Sequence, residues 1–117
     1  MKISVKAIIP HDLAEFADAN GLEIEVRERD GRTMENMKMQ PSDRFYARFK
    51  GVEVSEGRCL RGTYGNGGTP DAAIHAYCKE IQGLCLVKDA YKDTRKEIQA
   101  PSLLVYKPSK RRKVAAK

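Results

Sequence analysis

Tryptophan is absent, histidine occurs twice, and the three cysteines, Cys59, Cys78 and Cys85, show no C-x-x-C spacing. Each shortage excludes something. An odd set of unpaired cysteines supports neither a disulfide framework nor a zinc site, and free thiols of this kind pack as small hydrophobes in a reducing compartment. His11 and His75 stand in no H-E-x-x-H or comparable ligand spacing, so no metal and no cofactor is expected. No run approaches the roughly 18 apolar residues of a membrane span, and the stretch Met1-Lys2-Ile3-Ser4-Val5-Lys6 lacks a signal peptide's apolar core. An intracellular, cytoplasmic protein with no membrane partner is the expectation. The aromatic share of 7%, with no indole among it, predicts a thin core.

What is abundant is charge, and its location matters more than its sum. The net charge is +6, from 22 basic and 16 acidic residues. Residues 107–117 hold Lys107, Lys110, Arg111, Arg112, Lys113 and Lys117 with no acid, so the preceding 106 residues carry equal numbers of each sign. The alkaline pI is a property of the tail. A folded domain that binds nucleic acid over a broad face normally carries its own positive excess, because phosphate neutralisation supplies most of the affinity, and on net count this body has none.

At 117 residues the chain suits one core. The organisation expected is a single α+β domain over residues 1–106 and a disordered basic tail over residues 107–117, where like charge without apolar period cannot collapse. Alternation over residues 3–9 predicts a short strand ended by Pro10. Leu13, Phe16 and Ala17, at i, i+3 and i+4, predict a helix over residues 11–20 stopped by Gly21. Leu22, Ile24 and Val26 alternate with charges and predict a half-buried strand. Residues 30–43 lose all period and predict a long loop that carries Met34, Met37 and Met39.

Phe45, Ala47 and Phe49 alternate with Tyr46, Arg48 and Lys50, and the parity switches after Gly51, which predicts a bulge or bend there. Ser55-Glu56-Gly57-Arg58 predicts a hairpin turn with a returning strand over residues 59–64, and Gly65-Asn66-Gly67-Gly68 a tight connection. Thr69-Pro70-Asp71 is the clearest helix start in the chain, with a hydroxyl cap, a preset φ and an acid at the positive dipole end. Ile74, Tyr77, Cys78 and Ile81 follow as one apolar stripe, closed by Gly83. A buried strand over residues 84–87, a charged turn, and a last extended segment over residues 98–106 broken by Pro101 complete the chain.

Candidate chemistry is sparse. Cys78 lies three residues from His75, but its place on the apolar stripe argues for burial rather than for a thiol nucleophile. The glycine segment before Thr69 lacks the P-loop lysine, and Asp71 would compete with a bound phosphate. A non-catalytic protein is expected. Its contact residues are the outward Tyr46, Arg48 and Lys50, an aromatic flanked by cations that suits bases or an acidic partner. The adaptable Met34, Met37 and Met39 add a second contact surface. For phosphates the candidates are the tail residues Lys107, Lys110, Arg111, Arg112 and Lys113.

The order helix, three antiparallel strands, helix over residues 11–83 resembles the double-stranded RNA-binding domain. That family grips phosphates with a Lys-Lys-x-Ala-Lys cluster at the second helix, where this chain reads Thr69-Pro70-Asp71-Ala72-Ala73-Ile74, with no lysine until Lys79. The layout is therefore implied without the duplex-RNA function. Residues 45–74 also resemble HicB-type antitoxins, in which a hairpin precedes a helix opened by a hydroxyl residue, acids and alanine. Tyr64-Gly65-Asn66-Gly67-Gly68-Thr69-Pro70, entering a helix with Tyr77, is similar to small accessory proteins of tailed phages and prophages, anti-CRISPR inhibitors among them.

Together these readings predict a mainly antiparallel sheet of three to five strands with two helices on one face, dsRBD-like in layout. They imply a phage-type accessory protein that binds and inhibits a host protein or ribonucleoprotein machine. A nucleic-acid-binding module or a HicB-type antitoxin is the alternative. Nucleic acid contact through the tail and a homodimer through exposed strand edges are both compatible with the sequence.

Overall fold

In the computed structural model, which describes residues 10–108, the chain opens with strand β1 (His11–Asp12) and passes directly into helix α1 (Leu13–Ala19). The strand predicted over residues 3–9 lies outside the described residues. The first helix begins later than its apolar period suggested because Asp12 is its N-cap, accepting from the Glu15 amide at 3.1 Å. His11 is thus strand rather than helix.

Strand β2 (Ile24–Glu28) follows, then helix α2 (Gly31–Asn36) and a 3-10 turn at Pro41–Asp43. The long loop expected over residues 30–43 is corrected here. Asp30 caps α2 by accepting from the Thr33 amide at 2.7 Å, which suffices for a short helix without an apolar stripe.

Next come β3 (Phe45–Phe49), β4 (Val52–Glu56), β5 (Cys59–Arg61), β6 (Gly65–Gly67), helix α3 (Pro70–Ile81), β7 (Cys85–Lys88), β8 (Lys96–Gln99) and β9 (Leu104–Val105). The architecture is α+β and mainly antiparallel, with the strands divided among sheets. One sheet has the order β2-β3-β6 and a second has the order β5-β4-β7-β8, while β1 and β9 form a parallel pair.

The two sheets share one bent hairpin. Its tip is the Gly57-Arg58 turn between Glu56 and Cys59. Between the pairs Val54 with Arg61 and Ala47 with Gly65, one arm has six intervening residues and the other three. The longer arm turns at Gly51, whose φ of 70° is one that L side chains rarely adopt. The parity switch read at Gly51 is therefore a change of sheet rather than a bulge within one.

Gly65-Asn66-Gly67, expected as a connection, is a strand, and its glycines answer a packing demand. A Cβ on Gly65 would lie 2.6 Å from the Ala73 carbonyl oxygen and from the Tyr77 Cα, and one on Gly67 would lie 2.7 Å from the Ala72 Cβ. Helix α3 rests directly on the β6 backbone.

The remaining packing follows the sequence closely. Thr69 caps α3 by accepting from the Ala72 amide at 3.1 Å, and Ala73, Ile74, Tyr77, Cys78 and Ile81 are buried. The Phe49 ring of β3 meets Phe16 of α1 with 6.3 Å between centroids, and Tyr77 of α3 edge-on at 5.4 Å. Both helices therefore cover the same face of the β2-β3-β6 sheet. The core continues through Val52, Val54, Leu86 and Ile98 of the second sheet, so one buried cluster runs from Leu13 to Leu104. Helix α2 and the β4–β5 hairpin intervene between elements that the double-stranded RNA-binding layout would place consecutively.

Candidate functional site

Among the described residues α1 and α3 cover one face of the β2-β3-β6 sheet and leave the opposite face open, and register decides which side chains it presents. Directly paired residues share a face. Glu25 pairs with Arg48, Arg27 with Tyr46, and Tyr46 with Asn66. The inward partners at the same positions are Val26, Ala47 and Gly65. The period of two carries the open face on to Arg29 and Lys50, and to Tyr64 just before β6.

These residues form a preorganised cationic and aromatic cluster. The Arg29 guanidinium carbon sits 4.5 Å from the Tyr46 ring centroid and 5.6 Å from that of Tyr64. The two tyrosine rings meet edge-on at 6.0 Å. Arg29 is fixed from behind: its side chain donates to the Asp43 carbonyl oxygen and its backbone amide donates to the Arg44 carbonyl at 2.8 Å. Tyr64 keeps 49% of its surface exposed. An arginine over two tyrosines offers a planar cation and a wet ring side by side.

The sheet's outward carboxylates, Glu25 and, one period earlier and opposite Lys50, the exposed Glu23, are outnumbered. Arg27 donates to Glu25 at 2.9 Å and Arg48 approaches it at 3.7 Å. The hydrogen bond from Arg27 is the largest influence holding the Glu25 carboxyl below its usual range, and the charges of Arg27, Arg48 and Lys50 add to it. Against Glu23 and Glu25 the face carries Arg27, Arg29, Arg48 and Lys50. Asn66, opposite Tyr46, has a buried Oδ1 with no hydrogen-bond partner among the described residues.

The site continues at both ends. Past Arg29, an open groove of about 710 Å³ is lined by Met34, Met39, Glu28 and Arg44, with Arg44 paired to Glu28 at 2.5 Å. Met34 and Met39 are half-buried there, while Met37 is 66% exposed. At the other end, Arg48 lines a depression of about 260 Å³ with Tyr91 and Lys92. Tyr91 is 87% exposed.

Of the residues predicted from sequence, Tyr46, Arg48 and Lys50 stand on the open face, and the methionine segment adjoins them through Arg29. Lys107 is exposed and follows Tyr106, whose hydroxyl donates to Asp71 in the first turn of α3 at 2.7 Å, so it is not part of the cluster. Lys110, Arg111, Arg112 and Lys113 lie outside the described residues. Arg27, Arg29, Tyr64 and Tyr91 were missed. Extending the alternation Glu25, Arg27 by one step would have found Arg29, and reading Gly-Asn-Gly as a strand would have found Tyr64.

The reactive groups behave as packing. Cys78 is 1% exposed, and burial pushes its thiol up to about 11, against what a nucleophile needs. Burial likewise pushes the Tyr77 hydroxyl up to about 12, opposed only in part by the Phe49 backbone and the charge of Arg48. His75 is exposed. No group of three or more histidine, cysteine or acidic side chains gathers to hold a metal among the described residues, and none of their helices is long and apolar enough to cross a membrane. No protein-family model, no curated protein and no solved structure matches this chain.

Proposed function

We propose that the protein is a non-catalytic accessory module that binds an anionic macromolecular partner on the open face of its β2-β3-β6 sheet. The observation that carries this reading is the Arg29 guanidinium, held 4.5 Å from the Tyr46 ring on a face where Arg27, Arg29, Arg48 and Lys50 outnumber Glu23 and Glu25. Large apolar and planar cationic groups left in water on a rigid sheet cost nothing further to organise when a partner arrives. Long-range attraction from the cations raises the encounter rate.

The partner class is a cytoplasmic host protein or ribonucleoprotein machine, which the chain modulates by occupying it. That part of the reading rests on the resemblance of residues 64–70 to phage accessory proteins. The open face supplies the contact such a blocker needs, and the half-buried Met34 and Met39 beside Arg29 supply an adaptable rim.

The test separates the body from its tail. In the full chain, replacing Lys107, Lys110, Arg111, Arg112, Lys113 and Lys117 with glutamine removes the tail's basic side chains. Retention of that protein on immobilised heparin, with release at markedly lower salt once Arg27, Arg48 and Lys50 are also changed to glutamine, is the expected result. Failure of the tail-neutralised protein to bind would end the reading.

A further inference from the structure

The geometry points to single-stranded nucleic acid as the partner of the open sheet face, with bases stacked on Arg29 and Tyr64 and the backbone running past Arg27, Arg48 and Lys50. This rests on the reading that the face binds anions, and goes further by naming which kind.

Three arrangements favour a strand with free bases. The first is that the cluster mixes stacking surfaces with cations. An acidic peptide needs the charges and has no use for two tyrosine rings, whereas unstacked bases take both aromatic and guanidinium planes. Tyr64 has one half of its surface in water, and Arg29, anchored to the Asp43 carbonyl, lies 5.6 Å from its ring centroid.

The second is the spacing along the sheet. Tyr46 and Arg48 are successive outward residues of β3, so about 6.6 Å of strand separates a stacking group from a cation. Beyond Arg48, Tyr91 and Lys92 share its depression with Glu53 and Asp89, so a second aromatic and a second cation stand there beside two carboxylates. Aromatic, cation, aromatic, cation is the order an extended nucleotide chain presents as base and phosphate.

The third is shape. Duplex RNA is gripped mainly through its phosphates across grooves, by lysine-rich helix ends. Here the start of α3 carries Asp71, bonded to Tyr106, and α3 lies on the opposite side of the sheet from the cations. A flat open sheet is a platform for a single strand.

The test uses the full chain with the six tail cations changed to glutamine, and fluorescence anisotropy with a labelled single-stranded DNA, the RNA of the same sequence, the matching duplex, and polyglutamate. Single strands should bind more tightly than duplex or polyglutamate. Tyr64→Ala and Arg29→Ala should each weaken single-strand binding by about tenfold, the effect of losing one stacked base, while polyglutamate binding changes less. Arg48→Gln should reduce the salt slope for every anion. Thermal melts establish that each variant is folded, and Tyr64→Phe should restore single-strand binding, since the ring is kept. Equal binding of oligonucleotide and polyglutamate, preference for duplex, or an equal loss for both ligands in Tyr64→Ala would overturn this inference and leave the anion-binding reading standing. No anion binding at all would remove both.

Discussion

Gly65 lies so close to Tyr77 that a β-carbon on the glycine would sit 2.6 Å from the tyrosine Cα. Neither backbone can retreat, because β6 is paired to β3 and α3 is packed over both. Gly65→Ala and Gly67→Ala should therefore each destabilise the protein by at least the roughly 1–3 kcal/mol typical of overpacking. Urea melts report it. Gly31→Ala is the control, since nothing lies within 4 Å of that position, and should be neutral or slightly stabilising. A wild-type melt for Gly67→Ala would refute the close approach.

Alkaline titration should expose the burial of Tyr77. The unfolded phenol loses its proton near 10, while the folded one holds it to about 12. Across that window the unfolded state is increasingly favoured, so this group's contribution is whole below pH 10 and declines as pH rises toward 12, by at most about 1.4 kcal/mol per pH unit. Tyr77→Phe should flatten the decline. It should also cost little at neutral pH, because the buried hydroxyl makes no hydrogen bond of good geometry among the described residues.

Thiol labelling should follow burial. Cys59 is exposed, Cys85 partly covered and Cys78 buried with its thiol pushed up to about 11. Mass spectrometry after brief alkylation at neutral pH should show Cys59 modified first, and Cys78 only under denaturant. Rapid native modification of Cys78 would instead revive a catalytic reading.

The end of α1 depends on lysines from two distant strands, β7 and β8. Lys88 donates to the Gly21 carbonyl at 2.6 Å and Lys96 approaches the Asn20 carbonyl at 3.5 Å, while the helix's own last turn holds no basic residue. Lys88→Met should cost about 0.3–1 kcal/mol. Hydrogen exchange should localise the loss to α1 and the turn after it.

Much of this was legible in the chain, and the misses have physical causes. Helix α3 was plain because its cap, its proline and its stripe agree. Strand β2 and the Tyr46, Arg48 and Lys50 face followed from alternation. Helix α2 was hidden because a six-residue helix with no buried side chain leaves no period, and only Asp30 announced it. Strand β6 was hidden because its glycines serve the backbone of a helix that comes later in the sequence. The division into two sheets was hinted at by the parity change at Gly51, but pairing of β4 with β7 is a long-range choice that no local pattern encodes. Arg29 escaped notice because it stands one residue beyond the strand, where apolar alternation has ended.

The bent hairpin makes β3 an inner strand of one sheet and β4 an inner strand of the other. A ladder severed in either sheet therefore leaves its neighbour with an unsupported edge. Among the described residues one buried cluster spans both sheets, so melting of either would expose the core of the other. Occupancy of Tyr46 and Arg48 by a ligand would accordingly be felt as slower amide exchange as far away as β7, with no movement needed to carry the message.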